Sequence, residues 1–323
     1  MLLIQPIHHP SATQHHVELF VLRLDLIHPL VSGNKWFKLK YNLQTAISQN
    51  CPQNSSINLD LNHPQTCPHF RGKILTFGGA YSNHIYATAA AGKLFHLPTI
   101  GIIRGEEHLP LNPTLDFAQS QGMQLVYVSR EIYKQKHTPA FHQELTAKFG
   151  DIFIIPEGGC NLDGIRGCTE ILAKIKTETT EQFDIICLAC GTATTLVGIT
   201  LSTVKNQQVM GFPVLKGGEY LKSAINDLLH QYLASNLPVP GDKSLNWQLV
   251  CDYHFGGYGK INQELLHFQK EFAQTQGITL DYIYTAKMFY GVIDLIQQGF
   301  FRHCRLLLIH TGGIQGNQGI AYM

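Results

Sequence analysis

Short apolar runs alternate along this chain with stretches whose apolar positions recur at helical spacing. "GKILTFGGA" reads as a strand running into glycines. "SNHIYATAAAGKLFHL" then reads as a helix, with Ser82 as its cap and Tyr86, Ala90, Leu94 and Leu97 along one face. "PTIGIIRG" predicts the next strand, and "LNPTLDFAQSQG" a helix closing at Gly122. "MQLVYVS" and "IFIIPEGG" are further strands, and "FDIICLACGTATTLVGI" is a strand, a turn and a helix start. "QVMGFPVL", "WQLVCDYHFGG" and "CRLLLIHTGG" complete the series. Strands alternating with helices in this way predict βαβ units around a mostly parallel sheet, an α/β fold.

Two stretches depart from that rhythm. In "HPLVSGNKWFKLKYNL" Gly33 and Asn34 tolerate backbone angles that other residues resist, and Trp36, Leu39, Tyr41 and Leu43 then interleave with Lys38 and Lys40. Lys35 therefore sits where a turn becomes a helix, with its amine free to point into a cleft. Taken by itself, such a lysine is an ordinary solvated one. Residues 49–72 are rich in Asn, Pro, Gln and Ser without any period, and predict a surface loop or insertion.

Ligands of parallel sheets bind at the carboxyl ends of the strands. Four predicted strand ends carry glycine together with hydroxyl or amide groups: "GGAYSNH", "PEGGCN", "ACGTATT" and "HTGGIQGNQG". In "ACGTATTLVGI" a glycine and small hydroxyl residues open a helix, which offers free N–H groups, Thr hydroxyls and a positive dipole end to a phosphate. The stretch lacks the lysine of a Walker loop and is not G-x-G-x-x-G, so ATP and dinucleotides are not favoured. A reactive lysine plus a phosphate cradle on a parallel sheet suggests a Schiff base to a phosphorylated aldehyde, pyridoxal phosphate.

Composition narrows the partners. The 323 residues are 44% hydrophobic and 15% charged, enough for a large buried core, and the net charge of +1 comes with no basic cluster that would track a nucleic acid. No segment has the roughly twenty consecutive apolar residues of a membrane helix, and "MLLIQPIHHPSATQHH" does not read as a signal peptide. Eight scattered cysteines then read as reduced thiols in a cytoplasmic protein. "CLAC" has C-x-x-C spacing, but Cys187 and Cys190 face opposite sides of a strand. Cys51, His63, Cys67 and His69 match no regular zinc spacing, and no metal is expected. Glu157 reads as a turn anchor, and "FGGYGK" as a loop carrying Tyr258 and Lys260 near the site.

The motifs together resemble the tryptophan-synthase-β-like, fold type II pyridoxal phosphate enzymes, and within them the 1-aminocyclopropane-1-carboxylate deaminase / D-cysteine desulfhydrase family. "DLIHPLVSGNKWFKLKYNL", "FGGAYSNHIYATAAAGK", "PEGGCNLDGIRG", "CGTATTLVGI", "FGGYGK", "YIYTAKMFYGVIDLI" and "LLLIHTGG" occur in the family's order across about residues 20–316. The resemblance implies that Lys35 forms the Schiff base and serves as a proton-transfer base. It implies that Asn83 bonds the cofactor's phenolic oxygen, and that Ser82, Asn83 and His84 face the substrate. Gly191, Thr192, Ala193, Thr194 and Thr195 would hold the phosphate. Tyr284 would lie by the ring as a catalytic group, and Thr311 near the pyridine nitrogen.

A neutral hydroxyl at that nitrogen leaves the ring a weaker electron sink, which suits loss of a β-substituent. Thr285 and Thr311 match the D-cysteine desulfhydrase-like pattern rather than the deaminase's Glu and Leu. The expected activity is therefore α,β-elimination from a D-amino acid such as D-cysteine, giving pyruvate, ammonia and sulfide. 1-Aminocyclopropane-1-carboxylate deaminase is the alternative. Phe37 and Tyr86 stand where the family usually has arginine, which leaves open a cofactor-binding protein with little turnover. Two domains are expected, a smaller one over residues 45–157 with the insert and a larger one over 1–44 plus 158–323, each a twisted, mostly parallel sheet covered by helices. The cofactor would lie in the cleft between them, and the resemblance implies a homodimer.

Overall fold

The computed structural model describes residues 3–50, 59–64 and 70–322. Among these residues ten strands form two sheets: β1 (Ile4–Ile7), β2 (Val17–Arg23), β3 (Lys73–Gly79), β4 (Thr99–Arg104), β5 (Gln124–Val128), β6 (Ile152–Ile155), β7 (Ile185–Cys190), β8 (Gln208–Pro213), β9 (Trp247–Leu249) and β10 (Cys304–His310). The smaller sheet has the order β5-β4-β3-β6 and the larger β1-β2-β10-β7-β8-β9. Every pairing is parallel except β1 with β2. That antiparallel edge was not legible in the sequence: Pro6 interrupts β1, and β2 runs without alternation into "LDLIHPL".

Helices cover both faces of the larger sheet. On one side Leu172, Leu196, Ile225 and Leu307 share a core, and on the other Met210, Phe272, Phe289 and Leu308. Cys187 packs in the second core and Cys190 in the first, so the C-x-x-C pair is split by the sheet. In the smaller sheet β3 is central, and Ile74–Phe77 is buried on both faces.

The Asn34–Asn50 helix joins the two halves. Gly167 lets it approach the Leu162–Glu178 helix closely: a Cβ there would lie 1.7 Å from the Phe37 carbonyl oxygen. From its other side Trp36, Leu39, Leu43 and Ile47 pack with Ile74, Ala87 and Phe95. Residue 45 thus lies within one continuous helix that continues through the first residues read as insertion. Leu59 and Leu61 are buried against the same cluster, so the described part of the insertion covers core as well as surface. Cys51, Cys67 and His69 lie outside the described residues. His63 is exposed, 3.5 Å from Asp60 Oδ2. Among the described residues no three potential metal ligands come together, and no helix is long and apolar enough to cross a membrane.

Candidate active site

The carboxyl ends of β3 and β4 face those of β7 and β10 across a cavity of about 310 Å³, lined by residues of both sheets. Gly33 lies behind its wall, against the Thr311 loop. Its φ is +67°, and a Cβ there would fall 1.9 Å from the Thr311 carbonyl oxygen. Asn34 N–H donates to that same oxygen at 3.2 Å, which ties the start of the Lys35 helix to the end of β10. The Gly-Asn turn is therefore what places the lysine: a side chain at residue 33 would push the two loops apart.

Lys35 Nζ donates to Asn34 Oδ1 at 2.8 Å, and Asn34 Nδ2 donates to Thr195 Oγ1 at 2.9 Å. Burial pulls the Lys35 amine down to about 7, helped by the positive charge of Lys38 and opposed by Asp281. Lys38, one turn on and 3% exposed, donates to Thr192 Oγ1 at 3.1 Å. Burial lowers its pKa too, and it forms no ion pair among the described residues. It was not among the residues singled out from the sequence. The signal was there, because three residues after Lys35 falls on the same helical face.

Ser82 caps the Asn83–Phe95 helix, its Oγ accepting from His84 N–H and Ile85 N–H at 3.2 and 3.3 Å, and it still lines the cavity. Asn83 lines it as well, and its Oδ1 accepts from Gln315 Nε2 at 3.0 Å. His84 is 2% exposed, with Nε2 2.9 Å from Thr76 Oγ1. Thr76 spends its own proton on the Ile155 carbonyl at 2.8 Å, which assigns the imidazole hydrogen to Nε2. Nδ1 is left as a buried acceptor without a partner. Burial and the charges of Lys35 and Lys38 hold this histidine neutral, down to about 3.

The Gly191–Ala193 turn leads into the Thr194–Thr200 helix, whose start has no side-chain cap. Thr192 and Thr194 hydroxyls lie 3.2 Å apart. A Cβ on Gly191 would lie 2.8 Å from the Tyr284 ring, so glycine lets the phenol lie against the turn. Tyr284 is held from below: buried Asp281 accepts its N–H at 2.7 Å, that of Ile283 at 3.1 Å and that of Thr285 at 2.9 Å. Burial, then Tyr258, Asp281 and Glu157, raise the Tyr284 phenol well above its usual value. Tyr258 of the glycine loop meets Tyr284 edge-on at 6.0 Å, and Lys287 clips that loop through the His254 and Gly257 carbonyls at 2.9 and 2.7 Å. Thr311 lines the cavity. Thr285 does not, because its hydroxyl donates to Asp281 Oδ2 at 2.6 Å.

The residues named from the sequence, Lys35, Ser82, Asn83, His84, Gly191, Thr192, Thr195, Tyr284 and Thr311, thus line one space, with Ala193 and Thr194 just behind it. The two positions read as lost arginines are elsewhere. Phe37 is 1% exposed in the core of the larger sheet, since two residues on a helix turn through about 200°. Tyr86 stacks on Phe117 at 3.8 Å, away from the cavity. Neither removes charge from the site.

Three features fit pyridoxal phosphate: an ammonium at Lys38 with no anion, a helix start with no cap, and an amine at Lys35 poised near neutrality. The chain belongs to the pyridoxal-phosphate dependent enzyme family, whose profile matches residues 9–312. A putative 1-aminocyclopropane-1-carboxylate deaminase of Pyrococcus horikoshii is 31% identical over 304 residues, covering 93% of this chain and 85% of that protein. The mitochondrial bifunctional D-cysteine desulfhydrase/1-aminocyclopropane-1-carboxylate deaminase of Arabidopsis thaliana is 27% identical, over 93% of this chain and 73% of its own. The solved structure of an ACC deaminase homologue superposes with a TM-score of 0.77 at 27% identity, over 98% of this chain and 90% of the other.

Proposed function

We propose that this enzyme eliminates the β-substituent of a small D-amino acid, turning D-cysteine into pyruvate, ammonia and sulfide. The observation that carries the reading is the Lys35 amine, poised near neutrality in a cavity that also holds a protonated phenol and a free phosphate cradle. Bound there, pyridoxal phosphate would supply an electron sink for the α-carbon of an amino acid. Lys38, Thr192 and Thr195, with the amides of Gly191, Ala193 and Thr194, would hold its phosphate. Asn83 would bond its phenolic oxygen, and Thr311 would offer the ring nitrogen a neutral hydroxyl.

The chain's own residues then divide the work. Lys35, with a large uncharged fraction at neutral pH, would attack a carbonyl and afterwards take the proton from Cα. The Ser82 hydroxyl proton and the Asn83 N–H would face the substrate carboxylate at the positive dipole end of the helix, the His84 and Ile85 N–H groups being taken by the Ser82 oxygen. Neutral His84 adds no charge, and its unpartnered Nδ1 would be open to a donor on the substrate. The raised phenol of Tyr284 keeps its proton and can give it to a departing thiolate.

The names of the relatives keep 1-aminocyclopropane-1-carboxylate as a second substrate to test. Thr285 and Thr311, in place of the Glu and Leu of the deaminase pattern, favour the elimination. The low-turnover alternative loses its premise, because Phe37 and Tyr86 lie off the cavity. Domains over 45–157 and over 1–44 plus 158–323, closing on the substrate, and a homodimer in the cytoplasm, belong to the same reading. The test is the visible spectrum of the protein before and after D-cysteine, with pyruvate and sulfide assayed together and Lys35→Ala as control. A band that shifts as both products appear, and that Lys35→Ala lacks, supports the reading. No sulfide from D-cysteine, with a keto acid from the cyclopropane substrate, would transfer it to the deaminase.

A further inference from the structure

Arg104 closes β4 and lines the cavity beside Gly79 and Ser82. A Cβ on Gly79 would lie 3.4 Å from its Nη2, so the guanidinium runs over the bare backbone just before the Ser82 cap. Arg104 also lines a second, adjoining depression of about 410 Å³, together with Arg130, Tyr133, Lys134 and Lys136. The Tyr133 ring carries two of these cations, with the Arg104 guanidinium at 5.6 Å and the Lys136 ammonium at 5.0 Å from its centre.

The acids nearby do not balance this shelf. Glu157 lies 3.5 Å from Lys136 and is the carboxylate on the cavity wall. Glu131 is exposed on the short helix that carries Arg130. Glu106 and Glu107, which follow Arg104 in sequence, line neither space. Among the described residues Arg104, Arg130 and Lys134 form no ion pair. A forked guanidinium flanked by further cations matches an oxyanion of more than one charge better than it matches a single carboxylate.

We propose that this shelf holds the leaving group: the preferred substrates carry a multiply charged oxyanion, of the phosphate class, on their β-carbon. The inference rests on the elimination reading above, and gives it a substrate class. For O-phospho-D-serine the Cα–H proton is removed, and the Cβ–O bond breaks with its electron pair leaving on phosphate. The enamine that remains takes up a proton, and water hydrolyses the resulting imine. One substrate and one water thus give pyruvate, ammonia and phosphate, with no oxidant or reductant. Phosphate departs as an anion onto Arg104 and its neighbours, whereas a thiolate would leave the shelf empty.

The experiment compares O-phospho-D-serine, D-serine and D-cysteine on the cofactor-loaded enzyme, by turnover and by calorimetric binding, for wild type, Arg104→Ala and the Arg130→Ala/Lys134→Ala pair. The phosphorylated amino acid should bind at least about tenfold more tightly than D-serine, the order expected of one charge-assisted contact. Arg104→Ala should lower the ratio of kcat/KM for O-phospho-D-serine over D-cysteine at least about tenfold, and the double variant should lower it less. Equal binding of D-serine and its phosphate ester would overturn the proposal. So would a loss in Arg104→Ala shared equally by O-phospho-D-serine and D-cysteine, which would mean that Arg104 reads the common α-carboxylate. If no amino acid turns over at all, the elimination reading fails while the calorimetry still decides the shelf.

Discussion

Replacing Lys38 by methionine should move two measurements in opposite directions. The ammonium is 3% exposed, has one hydrogen bond, to Thr192 Oγ1 at 3.1 Å, and faces no carboxylate. Without cofactor, burial disfavours its charged form and no carboxylate compensates, a situation that costs up to several kcal/mol per ion. Methionine keeps the length and packing of the stem and removes the charge. The cofactor-free variant should therefore be more stable than wild type by about 2 kcal/mol, a rise of roughly 3 °C in melting temperature for a chain of 323 residues. The holoenzyme should suffer, because a charge-assisted hydrogen bond to phosphate is worth about 1.5–3 kcal/mol, or roughly a 10- to 100-fold weaker dissociation constant. Thermal unfolding of the stripped protein and titration with pyridoxal phosphate by visible absorbance read the two effects. Wild-type cofactor affinity together with a lower melting temperature would refute the argument, and would make Lys38 a packing residue alone.

The close approach at Gly33 predicts that Gly33→Ala costs about 3 kcal/mol or more and loosens the cofactor, since a Cβ would meet the Thr311 oxygen at 1.9 Å on a backbone with positive φ. Melting temperature and cofactor retention after gel filtration measure it; a wild-type result would mean the turn is not what positions Lys35. Two buried bases set a pH dependence of the stripped protein. The unfolded chain protonates His84 below its usual 6.5 and Lys35 below about 10.4, while the folded protein holds them down to about 3 and about 7. The unfolded state therefore binds more protons in both windows, and folding stability rises with pH across each. Denaturant unfolding from pH 4 to 6 should show a shallower rise in His84→Gln, and from about pH 7 to 8.5 a shallower rise in Lys35→Ala. Parallel slopes in variant and wild type would reject the assignment.

What could be read from the chain was what short stretches determine by themselves. Gly33-Asn34 announces a turn, Ser82 a cap and "GTATT" an open helix start, and each depends on neighbours within a few residues. All three reach the cavity because parallel strands deliver their carboxyl ends to one side, so strand order alone gathers them. Direction was harder to read than position. Phe37 looked like a charge missing from the site because it is two residues from Lys35, yet that spacing sends it into the opposite core, while the unremarked Lys38 shares the lysine's face. Tyr86 misled in the same way, since its ring turns to Phe117 on a helix only the fold brings near. Arg104 was illegible for a different reason. It ends an ordinary strand, and its chemistry comes from Tyr133, Lys136 and Gly79, none of which lies within twenty residues of it. The cofactor site is thus built from local signals that the sheet collects, whereas the cationic shelf beside it exists only through tertiary contact. Substrate choice among such enzymes should accordingly vary at positions like Arg104, where a strand end can change its side chain without disturbing the turn that holds Lys35.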